Sequence, residues 1–256
     1  MANYDIIGNI AIVKFRRGER ASAKKSFATT LMKKHKNVRT VLEKSDRIKG
    51  RLRTPTTKFI AGEKTKEALY KENDCVFRLN VDTSYFSPRL SAERKEIAEM
   101  VKKGENVLVM FGGVAPFAIV IGKKTKPKKV ISVEFGKEPS KYAKENIKRN
   151  RLEKFVVAIQ GNVRKVVPQM KEKFDRIVMA RPNLKDSFLD VAFDAIKPKG
   201  MIHYYGFYLE EDKKKLKELI TEESRKSGKK IKILKIKKAG DIGKKKYRYR
   251  VDFRVD

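Results

Sequence analysis

The sequence predicts an α/β protein in which a doubly wound parallel sheet over residues 83–256 follows a small α+β domain over residues 1–82. Three observations point there. From Asn106 to Ser227, apolar strand-like runs alternate with amphipathic helical runs. The last two strand-like runs follow one another with no helix between them, which predicts an antiparallel hairpin at one sheet edge. Before Asp82, short β-branched runs punctuated by Gly and Pro surround a single helix.

Taken in order, Tyr4–Phe15 reads as one or two strands, with Gly8 between the halves. Ala21–Lys34 reads as a helix, because Phe27 and Leu31 stand at i, i+4. Val38–Leu42, Lys58–Ala61 and Val76–Val81 read as short strands. A turn over Tyr85–Leu90 leads into a helix, with Ser91 as its N-cap and Ile97, Ala98 and Val101 as its apolar stripe. Strands are then expected at Val107–Phe111, Lys129–Glu134, Phe155–Gln160, Phe174–Met179 and Met201–Tyr205. The helices between and after them are a run opening at Pro116–Ile121, then Glu138–Asn150, Val163–Lys173, Ser187–Ile196 and Glu211–Ser227. Lys230–Lys237 and Tyr247–Val255 are the closing pair. The first of these sits in KKIKILKIKK, lysine-guarded as an exposed edge strand should be and well placed to meet phosphate.

Composition narrows the function. The 256 residues carry 64 Lys and Arg against 31 Asp and Glu, a net charge of +33. Such an excess attracts polyanions, RNA foremost among them. The charge gathers at both ends: sixteen cations against four acids over Ala2–Lys58, and thirteen against Asp241 alone over Ser224–Arg250. A single cysteine, Cys75, excludes an internal disulfide and a cysteine-based metal cluster, so no metal is expected. No apolar run is long enough to span a membrane, and the N-terminus lacks the pattern of a signal peptide. A cytoplasmic monomer is the expectation.

In an open α/β sheet, ligands bind beyond the carboxyl ends of the strands. The first such end reads Met110-Phe111-Gly112-Gly113-Val114-Ala115-Pro116. Glycines there let backbone approach a ligand, and the following helix start offers free amides. About twenty residues on, Glu134 closes the second strand, where a carboxylate can accept both hydroxyls of a ribose. This combination predicts a nucleoside-binding site.

Several longer stretches are more specific. They are FIAGE (59–63), KEN.C.F (71–77), YFSPRLS.ER (85–94), MF.GV.PF.IVI (110–121), FLD.A (188–192), IHYY (202–205) and KKAGDI....YRY.VDF (237–253). Over nearly its whole length the chain resembles the archaeal-type tRNA (guanine(37)-N1)-methyltransferases and the related wybutosine-synthesis aminocarboxypropyltransferases. IHYY and the closing AGD…VDF favour the methyltransferase branch.

The resemblance implies a Rossmann-like class I methyltransferase domain, S-adenosyl-L-methionine as cofactor and tRNA as partner. It implies that the family's separate N-terminal recognition domain is lacking. It assigns cofactor binding to Met110, Phe111, Gly112, Gly113, Ala115, Glu134 and Asn162. It assigns the active site to Arg89, Glu93, Arg94, Arg181 and Pro182. Methylation of guanine N1 needs a proton removed from N1 and charge stabilised on O6, tasks that suit a carboxylate and an arginine. Glu93 is the first candidate base, with Glu96 and Glu99 equally placed by spacing. His203 reads as a packed strand-end histidine. Tyr205 reads as core or pocket wall, with stacking on a base as the alternative.

The chain departs from the family where ligands should sit. Family members usually carry an acid at Val109, glycine at Ala115, an acid at Asn162, and Asn-Leu-Pro where this chain reads Ala180-Arg181-Pro182. Each lost charge-assisted hydrogen bond costs about 1.5–3 kcal/mol. Ala115 adds a methyl at a close approach and resists a positive φ. These changes leave two alternatives open: an RNA-binding homologue without catalysis, or a paralogue with another RNA target or transferred group.

Overall fold

The structure, a computed structural model, describes residues 3–49, 54–180 and 185–256. It divides into two compact units, Met1–Pro88 and Arg89–Asp256, a few residues later than the division expected after Asp82.

In the first unit, β1 (Asn3–Ile7) and β2 (Ile10–Lys14) form a hairpin. Helix α1 (Ala21–Lys34) returns the chain so that β3 (Thr40–Lys49) lies parallel to β2. Strand β4 (Thr54–Gly62) then completes a sheet of order β1-β2-β3-β4. The helix buries Ala28 and Leu31 against Ala11, Val13 and Val41. A second hairpin pairs β5 (Glu67–Glu72) with β6 (Cys75–Asn80) through Asn73 and Asp74, both at positive φ, the turn geometry that matches strand twist. The sequence reading does not place β5. Only Ala68 and Glu72 of that strand are buried, so its alternation is too weak to read. Cys75 is buried, its thiol donating to the Asn73 carbonyl at 3.3 Å.

A 3-10 turn at Pro88–Leu90 falls at the division, and helix α2 (Ser91–Glu99) follows in the second unit. Leu90 takes the cap position and Ser91 is the first helical residue, one place later than expected of that serine. The alternating part follows: β7 (Asn106–Met110), α3 (Pro116–Lys124), β8 (Lys129–Glu134), α4 (Lys137–Arg149), β9 (Val156–Gln160), α5 (Val163–Val166), β10 (Phe174–Met179), α6 (Leu189–Ala195) and β11 (Ile196–Leu209). Helix α7 (Lys213–Lys226) precedes the hairpin of β12 (Ile231–Gly243) and β13 (Lys246–Val255). The sheet order is β12-β13-β11-β10-β7-β8-β9, with β7 to β11 parallel and β13 and β12 antiparallel at one edge.

Two expectations are corrected. The helix expected over Val163–Lys173 stops at Val166 and gives way to a 3-10 turn at Val167–Gln169. Pro168 has no N–H to continue the ladder, and its ring would meet the carbonyl of Arg164. Strand β11 runs well beyond the expected Met201–Tyr205, because β13 pairs with it as far as Leu209. Edge strand β12 carries alternating lysines and three register shifts, both of which discourage pairing with another chain. Among the described residues, no helix is long and apolar enough to cross a membrane.

Candidate active site

Strand β7 ends at the buried Met110, and the chain then turns sharply. Phe111, Gly113 and Ala115 all have positive φ, at 62°, 56° and 65°. Gly112 lies so close to β8 that a Cβ would come within 2.0 Å of the Ser132 hydroxyl oxygen. A side chain there would have to displace the Ser132 hydroxyl. Ala115 caps α3 in the left-handed conformation despite its methyl, at a cost of about 1–2 kcal/mol. The turn is thus kept where the family has glycine. Val109 is fully buried between Ser132 and Val178 on the neighbouring strands and fills core.

Glu134 ties this turn to the next. One carboxylate oxygen accepts the Gly113 amide at 2.8 Å, and the other accepts the Gly136 amide at 2.7 Å. Burial pushes the Glu134 carboxyl above its usual range, against the pull of these amides and that of Phe135. With three amides on about four lone-pair sites, the carboxylate keeps room for a further donor. Phe135 presents a ring that is 48% exposed beside this acid, and Gln160 donates to its carbonyl at 2.9 Å. Sequence reasoning passed over Phe135. The only signal for it was an aromatic directly after a strand-ending acid.

Across the sheet end, Asn162 caps α5, its side-chain oxygen accepting the Arg164 amide at 3.0 Å. The Arg164 guanidinium grips Asp186 with three bonds of 2.8, 2.8 and 3.0 Å and Asp190 with two of 2.6 and 3.3 Å. It lies 4.9 Å from the Phe188 ring centroid. Phe188, itself at φ 58°, meets Phe111 edge-on at 5.0 Å between centroids. Phe188 thereby meets the glycine turn, and Asp186 and Asp190 are held by Arg164 of α5. Arg181 and Pro182 lie outside the described residues, between Ala180 and this anchor.

The three residues of the α2 entrance separate. Arg89 is exposed, whereas Glu93 and Arg94 are buried. A solvated ion-pair cluster on the helix surface does not describe them. One Glu93 oxygen accepts the Tyr205 hydroxyl at 3.0 Å together with an Arg250 guanidinium N–H. Its other oxygen lies 3.1 Å from the Lys237 ammonium. Burial of Tyr205 and the neighbouring Glu93 charge push the phenol up, so it stays a donor. The Tyr205 ring is buried 5.8 Å from Phe117 in the first turn of α3, so it is core and does not offer a face to a base.

The alternative bases read differently. Burial raises the Glu96 carboxyl, but hydrogen bonds from Arg250, Lys237 and Lys235 outweigh burial and hold it at about 2, too low for a proton acceptor near neutrality. Glu99 is exposed and pairs with Lys95. His203 is fully buried, accepting from Arg176 at 2.7 Å and donating to Asp252 at 2.7 Å. It is a packed strand histidine.

Residues 68–234 match the family described as the TRM5/TYW2 methyltransferase domain, and residues 1–65 match the TYW2 N-terminal domain. The tRNA (guanine(37)-N(1))-methyltransferase Trm5b of Pyrococcus abyssi is 37% identical over 254 residues, covering 99% of this chain and 74% of that protein. The crystal structure of that Trm5b superposes with a TM-score of 0.88, at 36% identity over 99% of this chain and 75% of its own. The Nanoarchaeum equitans tRNA (guanine(37)-N(1))/4-demethylwyosine(37)-methyltransferase Taw22 is 32% identical over 98% of each chain. A structure of aTrm5 in complex with tRNALeu superposes at 27% identity with a TM-score of 0.86, over 99% of this chain and 72% of that one. The chain belongs to the TRM5/TYW2 methyltransferase-domain family.

Proposed function

We propose that this protein is an S-adenosylmethionine-dependent tRNA methyltransferase acting on N1 of guanine at or near position 37, in the cytoplasm. The observation that carries this reading is the link through Tyr205. Its hydroxyl holds the buried Glu93 carboxylate, and its ring packs on the helix that starts from the glycine turn beside Glu134. In this reading Tyr205 links the proton acceptor to the helix that follows the nucleoside site.

The residues present fit the cofactor. The remaining acceptor capacity of Glu134 suits a ribose hydroxyl, Phe135 offers an apolar face to adenine, and the Asn162 oxygen retains a lone pair for the adenine amino group. Backbone of Met110, Phe111, Gly112, Gly113 and Ala115 lines the approach. When bound, S-adenosylmethionine supplies a methyl group on a sulfonium, which leaves as a neutral thioether. In this reading Glu93 takes the N1 proton as the N1 lone pair forms its bond to the methyl carbon. In this reading Arg89, which is exposed, is assigned to RNA and to charge on O6, and Arg94, which is buried, stands beside it on the same helix entrance. Arg181 and Pro182 are assigned to the guanine side. The +33 charge and the β12 lysines suit tRNA phosphates.

Calorimetric titration with S-adenosylmethionine tests the cofactor half of this proposal. Saturable binding is expected, weakened relative to an ideal site by the missing acid at Val109. Undetectable binding at a cofactor concentration of about 1 mM, a Kd limit equivalent to about 4 kcal/mol, would overturn it.

A further inference from the structure

Three motifs far apart in sequence meet at Glu93. Tyr205 and Arg250 are direct register partners on β11 and β13, and so are His203 and Asp252. Lys237 on β12 is the partner of Arg250 on its other side. Residues opposite one another share a sheet face, and alternate residues return to it. Positions 203, 205, 237, 250 and 252 therefore all present side chains to the one face on which α2 sets Glu93 and Glu96.

The contacts run in a line. Arg250 is completely buried and bonds Glu93 with one guanidinium nitrogen. Its second nitrogen reaches Glu96 at 2.7 Å and Asp252 at 2.9 Å. Asp252 takes the His203 N–H, and His203 accepts from Arg176, which is in turn held by Glu105 at 2.7 and 3.0 Å. Burying so many charges is unfavourable unless they neutralise one another, and apolar side chains of similar size would pack as well. What the charges contribute is geometry.

That geometry is asymmetric at Glu93. Tyr205 and Arg250 converge on one carboxylate oxygen, whereas the other meets Lys237, the partly exposed member of the group. One oxygen is anchored by two donors, and among the described residues its twin is paired only with Lys237, whose side chain is partly exposed. We propose that Arg250 is a positioning residue for methyl transfer, fixing the Glu93 carboxylate so that its second oxygen takes the guanine proton, with Asp252 and His203 fixing Arg250 in turn. The inference rests on Glu93 being the base. It gives a task to the IHYY and VDF motifs, which contact neither the glycine turn nor Glu134 directly in any hydrogen bond described above.

The test uses the full chain with S-adenosylmethionine and a tRNA transcript carrying guanine at position 37. Glu93→Gln should lower kcat about 10²- to 10⁴-fold, the usual share of a general base. Arg250→Met should lower kcat by up to about a hundredfold, the effect of a misplaced reacting group. The tRNA KM and the calorimetric affinity for S-adenosylmethionine should stay near wild type, and Arg250→Lys should recover part of kcat. Tyr205→Phe keeps the ring packed and removes one anchoring bond, so its kcat should fall in the same direction. It decides the matter if Arg250→Met fails to fold. Loss of kcat in Glu93→Gln with wild-type kcat in Tyr205→Phe, and in any folded Arg250→Met, overturns the inference alone. A tRNA KM that rises as kcat falls, without recovery in Arg250→Lys, overturns it too. Wild-type kcat in Glu93→Gln removes the base assignment and this inference with it.

Discussion

The Glu134 carboxylate accepts the Gly113 amide at 2.8 Å, so the acid that ends β8 holds the turn that ends β7. Burial raises its carboxyl, which means that the folded protein favours the neutral form more than the unfolded chain does. Its own contribution to stability is therefore present at low pH and lost as pH rises through the folded value. Ribose hydroxyls draw the balance the other way, because they donate best to the charged form. Affinity for S-adenosylmethionine should then strengthen as pH rises through the raised carboxyl range. Glu134→Gln should lose that dependence and bind about ten- to a hundredfold more weakly, equivalent to one charge-assisted bond. Calorimetry at acid and neutral pH checks both, and a wild-type affinity flat with pH would contradict the assignment.

Ala115 sits at φ 65° with its side chain fully buried. Ala115→Gly removes a left-handed alanine that costs about 1 kcal/mol, partly offset by the greater freedom of glycine in the unfolded chain. The variant should melt at an equal or higher temperature, by up to about 4 °C, and bind S-adenosylmethionine at least as tightly. A clear drop in melting temperature would show that the methyl contributes more by packing than its backbone strain costs.

His203 is neutral between Arg176 and Asp252, and burial holds its ring below the usual 6.5 although Asp252 pulls upward. The unfolded chain binds a proton there before the folded protein does. The resulting stability is present above the usual histidine value and is lost as pH falls through the folded one. Melting temperature should decline on acidification from neutrality. His203→Gln keeps a donor and an acceptor without a titrating group, so that part of the decline should flatten even as overall stability falls. An unchanged slope in the variant would assign the acid limb elsewhere.

The wound body of the protein was legible because its strands carry apolar runs that alternate with helical ones. Lys129–Glu134, Phe174–Met179 and the helix Ala21–Lys34 fall on the residues read from pattern alone. What depends on a partner was not. Strand β11 reaches Leu209 only because β13 lies beside it, and β5 exists only because β6 pairs with it. The same division holds at the site. Glu134 and Gly112 announce themselves by position after strands. The partners of Glu93 lie 112 and 157 residues away, and nothing local to Tyr205 or Arg250 says that they share a face with α2. The polar residues at alternate positions in IHYY and YRYRVDF were the trace they left.

Methyl transfer itself tests the proposed function most directly. Purified protein, S-adenosylmethionine and a tRNA transcript with guanine at position 37 are incubated, and the nucleosides are resolved by mass spectrometry against a transcript with adenine there. The expected product is 1-methylguanosine from the first transcript only, with Glu93→Gln forming it at least about a hundredfold more slowly. Tight cofactor binding with no modified guanosine, or an aminocarboxypropyl product in its place, would contradict it.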